Sequence, residues 1–72
     1  MKRVPVDSTN LKSVGYDPDT KTLEVEFDKG RVYQYFDVPS VLHQQLMQAI
    51  ESHGKFFIKH IKNAGFKFDQ VS

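Results

Sequence analysis

Cysteine is absent from the 72 residues, and glycine and proline are few, with four and three copies scattered singly along the chain. Without cysteine there can be no disulfide, thiol nucleophile, thiolate zinc site or cysteine-held iron–sulfur cluster. The chain therefore suits a reducing compartment, and the cytoplasm is the expected address. Isolated glycines leave no glycine-rich loop to cradle a phosphate. No apolar run approaches the roughly 18 to 20 residues that span a bilayer, and Lys2 and Arg3 lead into Val4-Pro5-Val6-Asp7 instead of a signal-peptide core. Neither membrane insertion nor export is expected. Excess charge is missing too: ten basic against nine acidic residues give +1, too close to neutral for bulk charge to imply a polyanion partner.

What is present is an apolar set of 39%, including six Phe and three Tyr, enough to cover one face of a small sheet with a helix or two. The length fits a single domain spanning 1–72, with an N-terminal arm at 1–7 and a C-terminal tail at 66–72. Residues 11–16 have the length of a strand and run into Asp17-Pro18-Asp19-Thr20, where Pro18 presets a turn and Asp17 can bond its backbone. Residues 22–28 alternate cleanly, placing Leu23, Val25 and Phe27 on one face and Glu24 and Glu26 on a solvated one. Residues 31–36 are β-branched and aromatic enough to return as a third strand.

The register of the second hairpin decides where its tyrosines point. A two-residue turn at Lys29-Gly30 would put Tyr33 and Tyr35 beside the glutamates, but it requires positive φ at a lysine. A three-residue loop, a type I turn with Gly30 in the bulge, sets Val25 against Tyr33 and Leu23 against Tyr35, and this register is preferred. Both tyrosines then face the core, and Val32, Gln34 and Phe36 lie outside or under the N-terminal arm.

Pro39 suits the first turn of a helix. Leu42, Leu46, Ala49, Ile50 and His53 carry a helical stripe over about 39–53, with Gly54 as its stop. A second helix over 55–64 buries Phe57, Ile61 and Ala64 before Gly65 ends it, and the rings of Phe66 and Phe68 fold back. The expected fold is α+β, a three-stranded antiparallel β-meander followed by two helices packed on one face.

Candidate chemistry is sparse. His43, His53 and His60 are separated by ten and seven residues, a spacing that matches no common chelating pair, so neither a metal nor a cofactor is expected. Ser8, His60 and Asp69 supply the residue types of a hydrolytic triad without any local signature. The chain is therefore read as non-enzymatic. Its charge, however, is unevenly placed: residues 1–51 hold six basic and eight acidic side chains, and residues 52–72 hold four basic and one acidic. At about 100° per residue, Lys55, Lys59 and Lys62 fall within an arc of roughly 60°, opposite Phe57 and Ile61, with Lys67 nearby. Such a stripe serves either solubility or phosphate binding. RNA contacted mainly at its phosphates is the leading expectation, and a protein partner meeting an edge strand or the rings of Phe36 and Phe68 is the alternative.

Ser8, Val14-Gly15-Tyr16-Asp17, Leu23-x-Val25-x-Phe27, Gly30, Tyr33-x-Tyr35, Val38-Pro39 and Gly54-x-Phe56-Phe57 with Ile61 resemble, in order and spacing, the KTSC domain. This family takes its name from the C-terminal domain of some lysyl-tRNA synthetases, and it also occurs as short free-standing bacterial and phage proteins. The resemblance runs from about Ser8 to Phe66. It implies a compact stand-alone domain of unknown function, for which the synthetase association suggests RNA binding, and it carries no catalytic or binding residue over. Tyr33, Tyr35, Gly30, Pro39, Gly54 and Phe57 belong to its motif and read as structural. Ile58 departs from the pattern, which in many members has Asn there.

Overall fold

The computed structural model describes residues 2–6, 11–49 and 53–72, with the backbone alone of His53. Five strands form one antiparallel sheet: β1 (Arg3–Pro5), β2 (Leu11–Asp17), β3 (Thr22–Phe27), β4 (Val32–Tyr35) and β5 (Phe68–Gln70). They lie side by side in chain order. Two helices, α1 (Ser40–Gln48) and α2 (His53–His60), are inserted between β4 and β5. The expected meander of three strands is thus the centre of a larger sheet. The N-terminal arm supplies one edge through Val4 opposite Val14, and the C-terminal tail supplies the other through Phe68 opposite Tyr35.

The preferred register of the second hairpin holds, with Val25 opposite Tyr33 and Leu23 opposite Tyr35. The Phe27 N–H donates to the Arg31 carbonyl at 2.7 Å and closes a loop of three residues. The loop itself differs from expectation: it is a 3-10 turn in which Lys29 (φ 66°) and Gly30 (φ 72°) are both left-handed. A left-handed lysine costs about 1–2 kcal/mol. The register that this turn permits buries Tyr35, which outweighs that cost. Val32 also departs from expectation. It is buried, and its backbone is held by the C-terminal segment, donating to the Ser72 carbonyl at 3.1 Å and accepting from the Val71 N–H at 2.8 Å. The N-terminal arm lies at the opposite edge of the sheet.

At the first hairpin, the Asp19 N–H donates to Asp17 Oδ1 at 3.0 Å, the local bond expected of an Asp before Pro. Pro39 precedes α1 with an extended ψ of 145°, and its carbonyl accepts from the Leu42 N–H at 3.0 Å. The first helix is shorter than its stripe: Ala49 leaves helical geometry at ψ 58° while its N–H bonds back to the Gln45 carbonyl. Ile50 and Ser8 fall outside the described residues, as does the His53 side chain. Gly54 does not stop a helix. It is the second residue of α2, buried, and lines a cleft with Leu11, Phe27 and Phe57.

The core comprises Leu11, Val14, Leu23, Val25, Tyr35, Val38, Leu46, Phe57 and Ile61, drawn from three strands, both helices and their connections. Phe57 of α2 meets Phe27 and Tyr35 edge-on, at centroid distances of 5.5 and 5.4 Å. No helix among the described residues is long and apolar enough to cross a membrane.

Candidate nucleic-acid interface

The site begins where α2 ends. Lys55 and Lys59 are exposed on α2, while Phe57 and Ile61 are buried beneath it. At Ile61 the backbone departs from the helix (φ −123°, ψ −60°), and residues Lys62–Ala64 form a 3-10 turn ended by left-handed Gly65. The expected stop at Gly65 is there, but the last turn is not α-helical. Ala64 is consequently exposed instead of buried. Lys62 does not extend the lysine stripe; it turns toward the second hairpin. Lys67 is exposed just before β5, with its carbonyl accepting from the Phe36 N–H at 2.9 Å.

This turn helps enclose a groove of about 370 Å³. Phe27, Tyr33, Tyr35 and Phe68 supply its aromatic lining, and Arg31, Lys62 and Asn63 supply its polar lining. The rings support one another. Phe27 meets Tyr33 edge-on at 5.5 Å, and Phe68 leans on Tyr33 at 5.9 Å and on Tyr35 at 5.4 Å. The Tyr33 hydroxyl donates to Gln70 Oε1 at 3.3 Å. Burial, and then the neighbouring Tyr33, push the Tyr35 phenol above its ordinary pKa, so it stays protonated at neutral pH. Phe68 is 55% exposed. The Arg31 Nε donates to the Asp28 carbonyl at 3.3 Å, which bends its side chain over the hairpin loop. Arg31 and Lys62 also line the adjoining cleft of about 280 Å³, where Asp28 joins them.

Sequence reasoning placed Lys55, Lys59, Lys62 and Lys67 in one basic face, whereas the structure divides them between the outside of α2 and the groove. It missed Arg31, Asn63 and Phe68 as neighbours of the tyrosines. The usable signal was the aromatic character of Phe27, Tyr33, Tyr35 and Phe68 together; their common groove depends on a 35-residue return of the chain that no local pattern encodes. Gly30 is exposed in the hairpin loop, Pro39 flanks α1, and Phe57 is core.

The glutamates occupy the other face of the sheet. Glu24 is not solvated there: it is 8% exposed, accepting from Arg3 Nη1 at 2.7 Å and from Gln34 Nε2 at 2.9 Å. Glu26 accepts from the Ser13 hydroxyl at 2.9 Å. Among the histidines, His60 is exposed and its ring lies 4.4 Å from Phe56. His43 is half-buried and stacked on Tyr16 at 4.7 Å.

Comparison with known proteins agrees with this architecture. A family model described as the KTSC domain matches residues 7–66. The chain is 41% identical over 71 residues to an uncharacterized protein of Stutzerimonas stutzeri, covering 99% of each. It is 44% identical over 62 residues to a lysine–tRNA ligase of Nostoc sp., matching 86% of this chain but 11% of the ligase. The crystal structure of a KTSC domain protein from Yersinia pestis superposes with a TM-score of 0.91 at 41% identity, covering 99% of this chain and 97% of the other. The chain belongs to the KTSC domain family, a small domain that also forms part of lysine–tRNA ligases.

Proposed function

We propose that this domain is a non-enzymatic RNA-binding module that holds phosphates with Lys55 and Lys59 on the exposed side of α2 and with Lys62 at the groove beside it. The observation that carries the reading is the segregation of charge: Lys55, Lys59, Lys62 and Lys67 are all exposed, and residues 53–68 contain no carboxylate side chain. Such a surface attracts polyanions through local potential although the whole chain is nearly neutral. The kinship with a region of lysine–tRNA ligase, whose name places tRNA among its substrates, supports the same direction. A binding role fits the groove chemistry as well, because its lining offers cations, an amide and phenols but no carboxylate or imidazole to act as a general base.

Three to four phosphate contacts on single-stranded RNA predict a log–log salt slope of about −2 to −3, and hence roughly a 15- to 60-fold loss of affinity between 50 and 200 mM salt. Fluorescence anisotropy with short labelled RNAs tests this, comparing the wild type with Lys55→Glu/Lys59→Glu. The double variant is expected to lose most binding at low salt; unchanged affinity would remove the helix face from the function. A protein partner is the second reading, favoured by the exposed apolar side chains Val4, Phe68 and Val71 on or beside the two edge strands. It predicts a stoichiometric complex that survives nuclease and high salt.

A further inference from the structure

We infer that the aromatic groove beside α2 is a subsite for one unpaired nucleotide of RNA, whose base stacks on Phe68 while an adjacent phosphate is held by Arg31 and Lys62. This rests on the RNA-binding reading above and names the place where a base, as opposed to the backbone, is engaged. Three observations meet there. The first is the ring. Phe68 is tilted by 41° and 31° on Tyr33 and Tyr35, which steady one side of it, while 55% of the residue remains open. A supported, half-open ring is what a nucleobase needs for stacking, and base–aromatic stacking tolerates any base.

The second is charge. Arg31, beside the second hairpin loop, and Lys62, in the turn after α2, line both the groove and its neighbour, so they stand at the boundary between the two. Asp69, in the same strand as Phe68, is opposite Gln34 and so points to the other face of the sheet; Asp28 lines the adjoining cleft only. Among the described residues, the groove lining thus holds two cations and no anion. The third is size. A volume of about 370 Å³ sits at the small end of ligand clefts, enough for one planar ring and its substituents. Asn63 adds a side chain with both donor and acceptor atoms, suited to a base edge.

The test compares hexa-adenylate with an abasic ribose-phosphate oligomer of equal length in 50 mM salt, using the wild-type protein, Phe68→Ala, Phe68→Tyr and Arg31→Ala. The wild type is expected to bind hexa-adenylate about ten-fold more tightly than the abasic oligomer. Phe68→Ala should erase that difference, Phe68→Tyr should retain it, and Arg31→Ala should weaken both oligomers. Equal binding of the two oligomers by the wild type, with loss of both in Lys55→Glu/Lys59→Glu, would overturn the nucleotide subsite and leave the phosphate-binding reading standing. Failure of both oligomers to bind would overturn both. A wild-type dimer that Phe68→Ala converts to monomer, with hexa-adenylate affinity unchanged, would assign the groove to a second copy of the chain and overturn the subsite.

Discussion

The two faces of the sheet bury their central residues by different means. On one face, Leu23, Val25 and Tyr35 are covered by the helices, and burial follows from apolar area. On the other, Arg3, Gly15, Glu24, Gln34 and Asp69 occupy successive positions in a single row across all five strands. Nothing apolar is needed there to cover Glu24, because Arg3 reaches it from one side and Gln34 from the other. The bridge depends on Gly15. Arg3 and Glu24 flank it two strands apart, about 10 Å, and a side chain at position 15 would stand between them. A polar face can therefore be as specific as an apolar one, provided that a small residue leaves room for the charges to meet.

The largest test of this comparison is on the apolar face. Tyr35→Ala removes a 4%-exposed ring that meets Phe57 edge-on, and a loss of about 3 kcal/mol or more is expected in denaturant unfolding. Tyr33→Ala should cost about half as much, because that ring is only half-buried at the groove. A loss below about 1 kcal/mol for Tyr35→Ala would mean that α2 does not rely on the sheet for its packing.

The polar face should respond less and in a different manner. Gly15→Leu is expected to cost about 1–3 kcal/mol by separating Arg3 from a nearly buried Glu24 carboxylate. Arg3, with a third of its side chain exposed, should cost about 1 kcal/mol on replacement by Ala. The informative quantity is the double variant. If Gly15→Leu acts by breaking the pair, then adding Arg3→Ala should cost little more, and thermal unfolding should show strong non-additivity. Simple additivity would refute the spacer role of Gly15.

The same contrast explains which parts of the fold could be read from the sequence. Alternation in Leu23-x-Val25-x-Phe27 and the turn chemistry of Asp17-Pro18 are local, and they fixed the central strands and the register that aims Tyr35 inward. The edge strands β1 and β5 have three residues each, too few to show a period, and Pro5 argues against a strand. Gly54 carries a strong stop signal, yet it lies buried in the first turn of α2. Lys62 follows helical spacing on paper and leaves it at Ile61. The groove was least legible, since Arg31, Lys62 and Phe68 become neighbours only when β5 returns to β4.

The smallest expected effect lies at the junction between sheet and α1, and it separates burial from charge pairing. Tyr16 donates to the Val38 carbonyl at 2.5 Å just before α1, and His43 of α1 stacks on the Tyr16 ring with an interplanar angle of 10°. Burial lowers the His43 pKa below its ordinary value, because the charged imidazolium loses hydration there. The unfolded chain therefore takes up the proton first as pH falls through about 6.5, so the stability contributed by neutral His43 is intact above that pH and is lost below it. Thermal unfolding at pH 7.5 and 5.5 should show a larger drop for the wild type than for His43→Gln, which cannot be protonated. Parallel drops in the two proteins would assign the acid sensitivity to other groups and leave the Tyr16–His43 stack as packing alone.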